Sequence, residues 1–411
     1  MKILQINNCH YRRGGADIVY LNTIELLKKH GHEVISFSKK SDRNLPSDSE
    51  QYFVEEINYF KSHGLKKLFL FFRFFFSFES KNKLEKLIRE TKPDIAHIHL
   101  YKGDLTPSIF IALKKMNVPV VITLHDFGLL CPHNIHLDGK LNICERCIDG
   151  STFNCVVHRC NRNNLLLSSV SALEFQYQKT LFSPTAIFDK IITVSEFSKN
   201  MHLKTNRFNN KIEKIYNFAP FDDGTPNTKK GDYFLFFGRL SDEKGINTLI
   251  NAWVKRPRSS KLLILGEGPL SEFCKSQALK YSDIEVLGFK TGSELKNLIS
   301  GSSFVIVPSE CYENNPLAIV ESYKSGKPVI GTNIGGIPEL INENETGYLF
   351  ELKDPDQLDT KICMAEKVNE EEYFRMSNNA LLFAKKNFDE DSHYQKLIGV
   401  FDEVLKERRN K

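Results

Sequence analysis

The sequence predicts an α/β protein made of two Rossmann-like domains in tandem, and three observations carry that prediction. Its 411 residues exceed one ordinary core and suit two domains of about 150 to 200 residues each. Short apolar runs of strand length alternate with amphipathic stretches of helical period, the pattern of parallel βαβ units. The alternation stops at a polar segment past the middle of the chain and then starts again.

The opening "KILQIN" reads as a buried parallel strand, "YRRGGAD" as a glycine-rich turn, and "IVYLNTIELLKKHG" as an amphipathic helix ending at Gly31. "HEVISFS" is the next strand. "PDIAHIHL", a helix near "TPSIFIALKKMN", "VPVVITLHD", "IFDKIITVSEFSKNMHLKT" and "KIEKIYNF" extend the series, so residues 1–217 are expected to form one doubly wound domain. Residues 218–231, rich in Pro, Gly, Asp and Lys and without periodicity, mark a linker. The strands "YFLFFGRL", "KLLILGEGP", "DIEVLGF", "SFVIVPS" and "KPVIGT", with the helix "KGINTLINAWVKR", assign 232–388 to a second domain. Residues 389–411 are expected to be a helix packing back on the first. Two such domains should face each other across a cleft, since open α/β sheets bind ligands at their carboxyl strand ends.

Charge narrows the classes of function. The net charge is +5, with 56 basic residues largely balanced by 51 acidic ones, which excludes a polybasic nucleic-acid binder and leaves room for a basic patch. The start "MKILQINNCH" lacks a secretory apolar region, and no run reaches membrane-span length, so a cytoplasmic protein is expected. The run at 65–83 carries seven phenylalanines with basic flanks and is interrupted by Arg73. It cannot span a bilayer, and reads either as a membrane-surface or acceptor-side element, at the inner face, or as packing within the first domain.

The stretch "PSECYENNPLAIVESYKSGKPVIGTNIGGIPELI", residues 308–341, holds Glu313 and Glu321 on either side of a proline-led helix start. Pro316 suits the first helical position and Asn315 the cap, which would aim the amides of Leu317 and Ala318 at an anion. The two carboxylates lie about 80° off a common helical face, so they need not serve the same group. A phosphate site flanked by carboxylates fits a ligand with hydroxyls at both ends, as in a nucleotide-sugar.

With this E-x7-E pattern come "FFGRLSDEKG", "LGEGPL", "GKPVIGTNIGGIPELI", "RRGGAD", "TLHD" and "VSEFSKN", in an order that resembles the retaining glycosyltransferases of family 4, which have the two-Rossmann-domain GT-B fold. The resemblance covers nearly the whole chain. It implies that Arg239 and Lys244 grip the donor diphosphate and that Glu321 binds the ribose hydroxyls. Glu313 would face the transferred sugar, while Asn314, Asn315 and Leu317 line sugar and phosphate through backbone amides. His125 would lie near the reacting sugar, Gly14 and Gly15 in a loop closing over the phosphates, and Gly266 near the nucleotide. Catalysis would rest on Glu313, His125, Arg239 and Lys244, with a UDP- or GDP-sugar as donor and a saccharide or lipid-linked saccharide as acceptor. Cations preorganised at the departing diphosphate would make a catalytic metal unnecessary. A soluble acceptor, or a non-catalytic sugar-binding homologue, stays open as an alternative, although such a homologue should have lost Glu313, Arg239 or Lys244. A nicotinamide enzyme is disfavoured because "NNCHYRRGGAD" lacks the G-x-G-x-x-G spacing.

Five of the nine cysteines fall within residues 131–160. Cys144 and Cys147 form a C-x2-C pair, with Cys131 thirteen residues before it and Cys160 thirteen after it, a framework for one tetrahedral, structural zinc. Cys155 would be supernumerary, and buried free thiols are the competing reading. Members of the resembled family that build bacterial polysaccharides carry a similar cysteine-rich insert.

Overall fold

In a computed structural model of the chain, residues 1–56, 71–205, 207–208, 210–220 and 226–410 are described. The chain divides into two compact units, one of Met1–Val194, Ser198–Ile215 and Asp391–Lys411, the other of Ser195–Phe197 and Tyr216–Glu390.

The first unit is built on six parallel strands, β1 (Lys2–Ile6), β2 (Glu33–Phe37), β3 (Ile95–Ile98), β4 (Val120–Leu124), β5 (Lys190–Thr193) and β6 (Ile212–Lys214), in the order β2-β1-β3-β4-β5-β6. Their near-continuous apolar composition follows from helices covering both faces. The helix Glu390–Arg409 covers part of one face through Leu397, Val400, Phe401 and Val404, which meet Ile3, Ile95, Val121 and Ile192. Those four positions recur at helical spacing. Burying each is worth about 1.5–3 kcal/mol, whereas the rim pairs Lys190–Glu403 and Arg408–Asp189 contribute about 1 kcal/mol or less, so apolar burial holds the helix in place.

The second unit repeats the plan with β7 (Tyr233–Phe237), β8 (Lys261–Leu265), β9 (Ile284–Gly288), β10 (Val305–Val307), β11 (Val329–Thr332) and β12 (Gly347–Phe350), ordered β12-β11-β10-β7-β8-β9 and all parallel. Trp253, Phe304 and Tyr373 fill its core among Ile and Leu side chains. In each sheet the chain starts in the middle and reverses direction once. That switch point lies between β1 and β3 in the first unit and between β7 and β10 in the second, and loops leaving such strands part to form a crevice.

Residues 65–70 of the aromatic run and 221–225 of the expected linker lie outside the described residues. In the rest of the run, Phe75 packs edge-on against Tyr177 and Arg73 pairs with Glu79 at 2.8 Å, while Phe72 and Phe78 are 64% and 71% exposed. Among the described residues no helix is long and apolar enough to cross a membrane.

Candidate active site

The second unit's switch point is assembled by three loops held together through backbone contacts. The loop after β7 ends at Gly245, whose φ is +70° and where a Cβ would lie 1.8 Å from the carbonyl oxygen of Pro308. Only glycine allows that approach. The contact lays the 241–245 loop on the loop after β10, and the Glu310 amide donates to the Glu243 carbonyl at 2.9 Å. From β11 comes the Gly335–Gly336 turn, where a Cβ on Gly336 would meet the Asn314 carbonyl at 1.9 Å. The Gly336 amide instead donates to the Glu313 carbonyl at 2.7 Å. The glycine pair therefore props up the segment that carries Glu313.

This assembly pairs Lys244 with Glu313, whose carboxylate also accepts from Ser309 Oγ at 2.8 Å. The two side chains are 31% and 14% exposed, so both reach solvent in part. Burial opposes the Lys244 charge, but Glu313, Cys311 and Glu243 outweigh it and hold the pKa above the ordinary lysine value. Arg239 is exposed on the same loop.

The helix that follows runs Leu317–Lys324, with Pro316 as its cap residue in extended conformation and no side-chain cap bond. This corrects the expectation of an Asn315 cap with Pro316 inside the helix. The side chain of Asn315 is engaged elsewhere, its Oδ1 accepting the Asn217 amide at 2.8 Å, while Asn217 Nδ2 donates to the Asn315 carbonyl at 2.9 Å. Asn217, which sequence reasoning missed, thus fixes the buried Asn314–Asn315 segment. The amides of Leu317 and Ala318, in the first turn, precede the first intrahelical bond and carry the partial positive charge of the helix start. Glu321 lies in the second turn, half-buried. Gly266 has a steric reason of its own, since its φ is +133° and a Cβ would lie 1.8 Å from the Gly238 carbonyl oxygen. Two Asp-x-Asp spacings occur in the chain, at Asp354/Asp356 and Asp389/Asp391. In the first, Asp354 caps a helix and Asp356 pairs with Lys255, which are structural tasks.

The remaining expected residues belong to the first unit. Gly14 and Gly15 are exposed at the start of the helix Gly15–Lys29, and Asn7 anchors their loop by donating to Asp17 Oδ1 and to the Cys9 carbonyl, each at 2.8 Å. His125 follows β4, stacks on His99 and shares a 2.9 Å hydrogen bond with its Nδ1, and the His97 ring lies tilted at 54° beside that of His99. Burial, reinforced by neighbouring histidines, lowers His97 and His125 to about 3 and His99 well below its ordinary value. All three are neutral at physiological pH.

The five clustered cysteines are buried within the first unit. Burial raises the Cys147 thiol to about 12, aided by Cys131, Cys160 and Cys144, while Cys160 is raised by its hydrogen bond with Cys155 and then by burial. The donor set is chemically suited to a metal, and the Arg146 guanidinium lies 3.3 Å from Cys144 Sγ, yet among the described residues no group of three or more ligands is arranged to hold one.

Comparison with known proteins places the chain among sugar transferases. Residues 220–382 match the model of glycosyl transferases group 1, and residues 13–222, just over half the chain, match that of glycosyltransferase family 4. An uncharacterised glycosyltransferase of Methanocaldococcus jannaschii is 34% identical over 209 residues, 48% of this chain and about half, 55%, of that relative's length. An uncharacterised protein of the cps region of Klebsiella pneumoniae is 23% identical over 367 residues, 85% of this chain and 90% of that one. A putative colanic acid biosynthesis glycosyltransferase of Salmonella typhimurium is 23% identical over 177 residues, 40% of this chain and 44% of that one. Among solved structures, HepE of Anabaena in complex with UDP-glucose is similar with a TM-score of 0.69 at 17% identity, covering 98% of this chain and 100% of that one. The doubly wound pair of sheets is thus the GT-B fold, and with the family model spanning more than half its length the chain belongs to glycosyltransferase family 4.

Proposed function

We propose that this glycosyltransferase moves a sugar, with retention of anomeric configuration, from a UDP- or GDP-sugar to a saccharide acceptor, lipid-linked in our reading, during cell-surface polysaccharide assembly. The observation that carries the reading is the Lys244–Glu313 pair, set at a topological switch point beside the uncapped start of the helix Leu317–Lys324. A diphosphate seated there would meet the helix amides, Lys244 and the exposed Arg239, while Glu313 would turn to the sugar and Glu321 to the ribose. The UDP-glucose complex of HepE and the name of the Salmonella relative support donor class and pathway.

In the proposed reaction the bond between the anomeric carbon and the diphosphate oxygen breaks, and charge grows on that oxygen as the sugar becomes cationic. Lys244, Arg239 and the helix start stabilise the oxygen at the moment of departure, the kind of electrostatic term that dominates such reactions. The acceptor hydroxyl attacks from the face the diphosphate leaves, and its proton passes to a departing phosphate oxygen. His125, neutral at working pH, would orient the sugar by hydrogen bonding rather than by charge. No divalent ion is called for, because the two side-chain cations supply the positive charge. Proton NMR of the first-formed product should show the donor's anomeric configuration, and a mild chelator too weak to strip a four-thiolate site should leave the rate unchanged. An inverted product, or strict magnesium dependence, would overturn the mechanism.

Two further parts of the reading concern the first unit. A structural zinc held by Cys131, Cys144, Cys147 and Cys160 would lock the insert, with its four thiolates leaving no open catalytic position. Metal analysis should then find about one zinc per chain, lost in Cys144→Ser and kept in Cys155→Ser, whereas metal-free native protein would refute it. The exposed Phe72 and Phe78 would touch an anionic membrane surface from the inner, cytoplasmic side.

A further inference from the structure

The first unit has a cavity of about 160 Å³ at its own switch point, lined by Asn8 from the loop after β1, His99 and Lys102 after β3, His125 and Asp126 after β4, and Asn134. The volume matches about five waters, the scale of one sugar ring rather than a disaccharide. Asn134 belongs to the cysteine-rich insert, so the insert supplies a wall of the cavity.

One cation faces two carboxyl groups here. Lys102 Nζ donates to the Gly128 carbonyl at 2.8 Å and to Asn134 Oδ1 at 3.2 Å, which ties the wall in place, and lies 3.8 Å from the Glu174 carboxylate. Asp126 Oδ1 accepts the Gly128 amide at 2.8 Å, and the residue is partly open to the cavity. Burial pushes both Asp126 and Glu174 up, with Lys102 offsetting only part of that cost. His99 and His125 add no positive charge, since burial keeps them neutral. The cavity therefore offers one lysine, already engaged by the Gly128 carbonyl and Asn134, against two acid groups.

We infer that this cavity seats the acceptor's sugar ring and selects it by charge, admitting neutral or amine-bearing sugars and refusing those that carry a carboxylate. The inference rests on the proposed function and adds to it that the first unit takes the acceptor. A sugar hydroxyl both donates and accepts, so a ring can give a hydrogen bond to Asp126 while taking one from the Lys102 ammonium or the Asn134 amide. His99 also lines the cavity, and its Nε2, buried and without a hydrogen-bond partner among the described residues, offers a further polar contact. A carboxylated sugar would place a third acid against one lysine that is already engaged, and the like-charge repulsion in this desolvated setting would exclude it.

Saturation-transfer NMR on the full chain tests this with three probes at equal concentration: methyl glucoside, glucosamine and glucuronate. Methyl glucoside and glucosamine should receive saturation, and glucuronate should not. Glu174→Gln removes one of the two acids set against Lys102 without touching the ligand, and should raise the glucuronate signal at least threefold. Asp126→Asn should do the same while weakening glucosamine about fivefold or more. Calorimetric binding of a UDP- or GDP-sugar by each variant confirms that the fold persists, and its absence in the native protein with sugar probes still bound would refute the donor reading alone. Equal glucuronate and methyl glucoside signals in the native protein, no signal from any probe, or an unchanged glucuronate signal in Glu174→Gln would overturn the inference.

Discussion

In the second unit the loops at the switch point carry a lysine paired with a glutamate and an exposed arginine, whereas in the first the corresponding loops carry histidines that burial keeps neutral. The two sheets share parallel doubly wound topology, and the crevice falls at the same place in each. Topology therefore places the sites, and loop composition decides their chemistry. A crevice with full charges that reach solvent suits an anion whose charge grows during reaction. A crevice with one engaged lysine, two desolvated carboxyls and neutral histidines suits a ligand of hydroxyls.

The largest effect should come from the charged crevice. Lys244→Ala or Arg239→Ala is expected to lower kcat at least 100-fold, as loss of one preorganised donor costs about 3 to 4 kcal/mol. Steady-state kinetics with a nucleotide-sugar would check it, and near-native turnover would move the chemistry away from the loop after β7. Glu321→Ala should instead mainly raise the donor KM, because ribose contacts persist from ground state to transition state.

A backbone test separates the two crevices. Gly336→Ala forces its methyl toward the Asn314 carbonyl and must shift the segment carrying Glu313. A displacement of about 1 Å can cost on the order of 100-fold in rate. Transfer should therefore collapse while sugar binding in the first unit stays native. Loss of both would show that the variant had unfolded rather than misaligned one loop.

Acid should act on the other crevice. His97 is lowered from 6.5 to about 3, so between those values the unfolded chain binds a proton that the folded chain refuses. Its contribution is complete above about pH 6.5 and falls as pH drops toward 3, amounting to a loss on the order of 2 kcal/mol at pH 5. Asp126 and Glu174, raised by burial, act in the opposite sense, which makes a single variant the clean comparison. His97→Gln should lose less melting temperature than the native protein between pH 7 and pH 5. An equal loss in both would mean that the histidines are not what acid attacks.

The smallest effect is expected at the surface. Phe72→Ser with Phe78→Ser should reduce sedimentation with anionic liposomes without altering the melt, since both rings are largely exposed. A lowered melting temperature would favour packing within the unit instead.

The charged crevice was legible in the sequence because its parts are punctuation. Gly245, Gly335, Gly336 and Pro316 mark backbone turns that no other residue type would fill as well, and they bracket Lys244, Glu313 and Glu321. The helix start came out one residue later than expected, because the cap preference of Asn315 is a local propensity and its contact with Asn217 lies 98 residues away in sequence. Strand β12 escaped notice since "GYLF" is four residues long and lacks alternation. Lys102 and Glu174 carried no signal at all. Each is an ordinary charge in sequence, and only the cavity, which draws on several non-adjacent loops, gives them a role. The cysteine spacing was plain, yet spacing fixes neither the thiol geometry nor what the thiols hold.

The central claim is that the crevice between β7 and β10 binds the diphosphate of a sugar nucleotide, and isothermal titration calorimetry tests it most directly. UDP-glucose and GDP-mannose are titrated into the native chain and into Lys244→Ala, with NAD as the control. The account predicts saturable binding of at least one sugar nucleotide, weakened at least tenfold in the variant, and none of NAD. Binding of NAD, or sugar-nucleotide binding unchanged by Lys244→Ala, would contradict it.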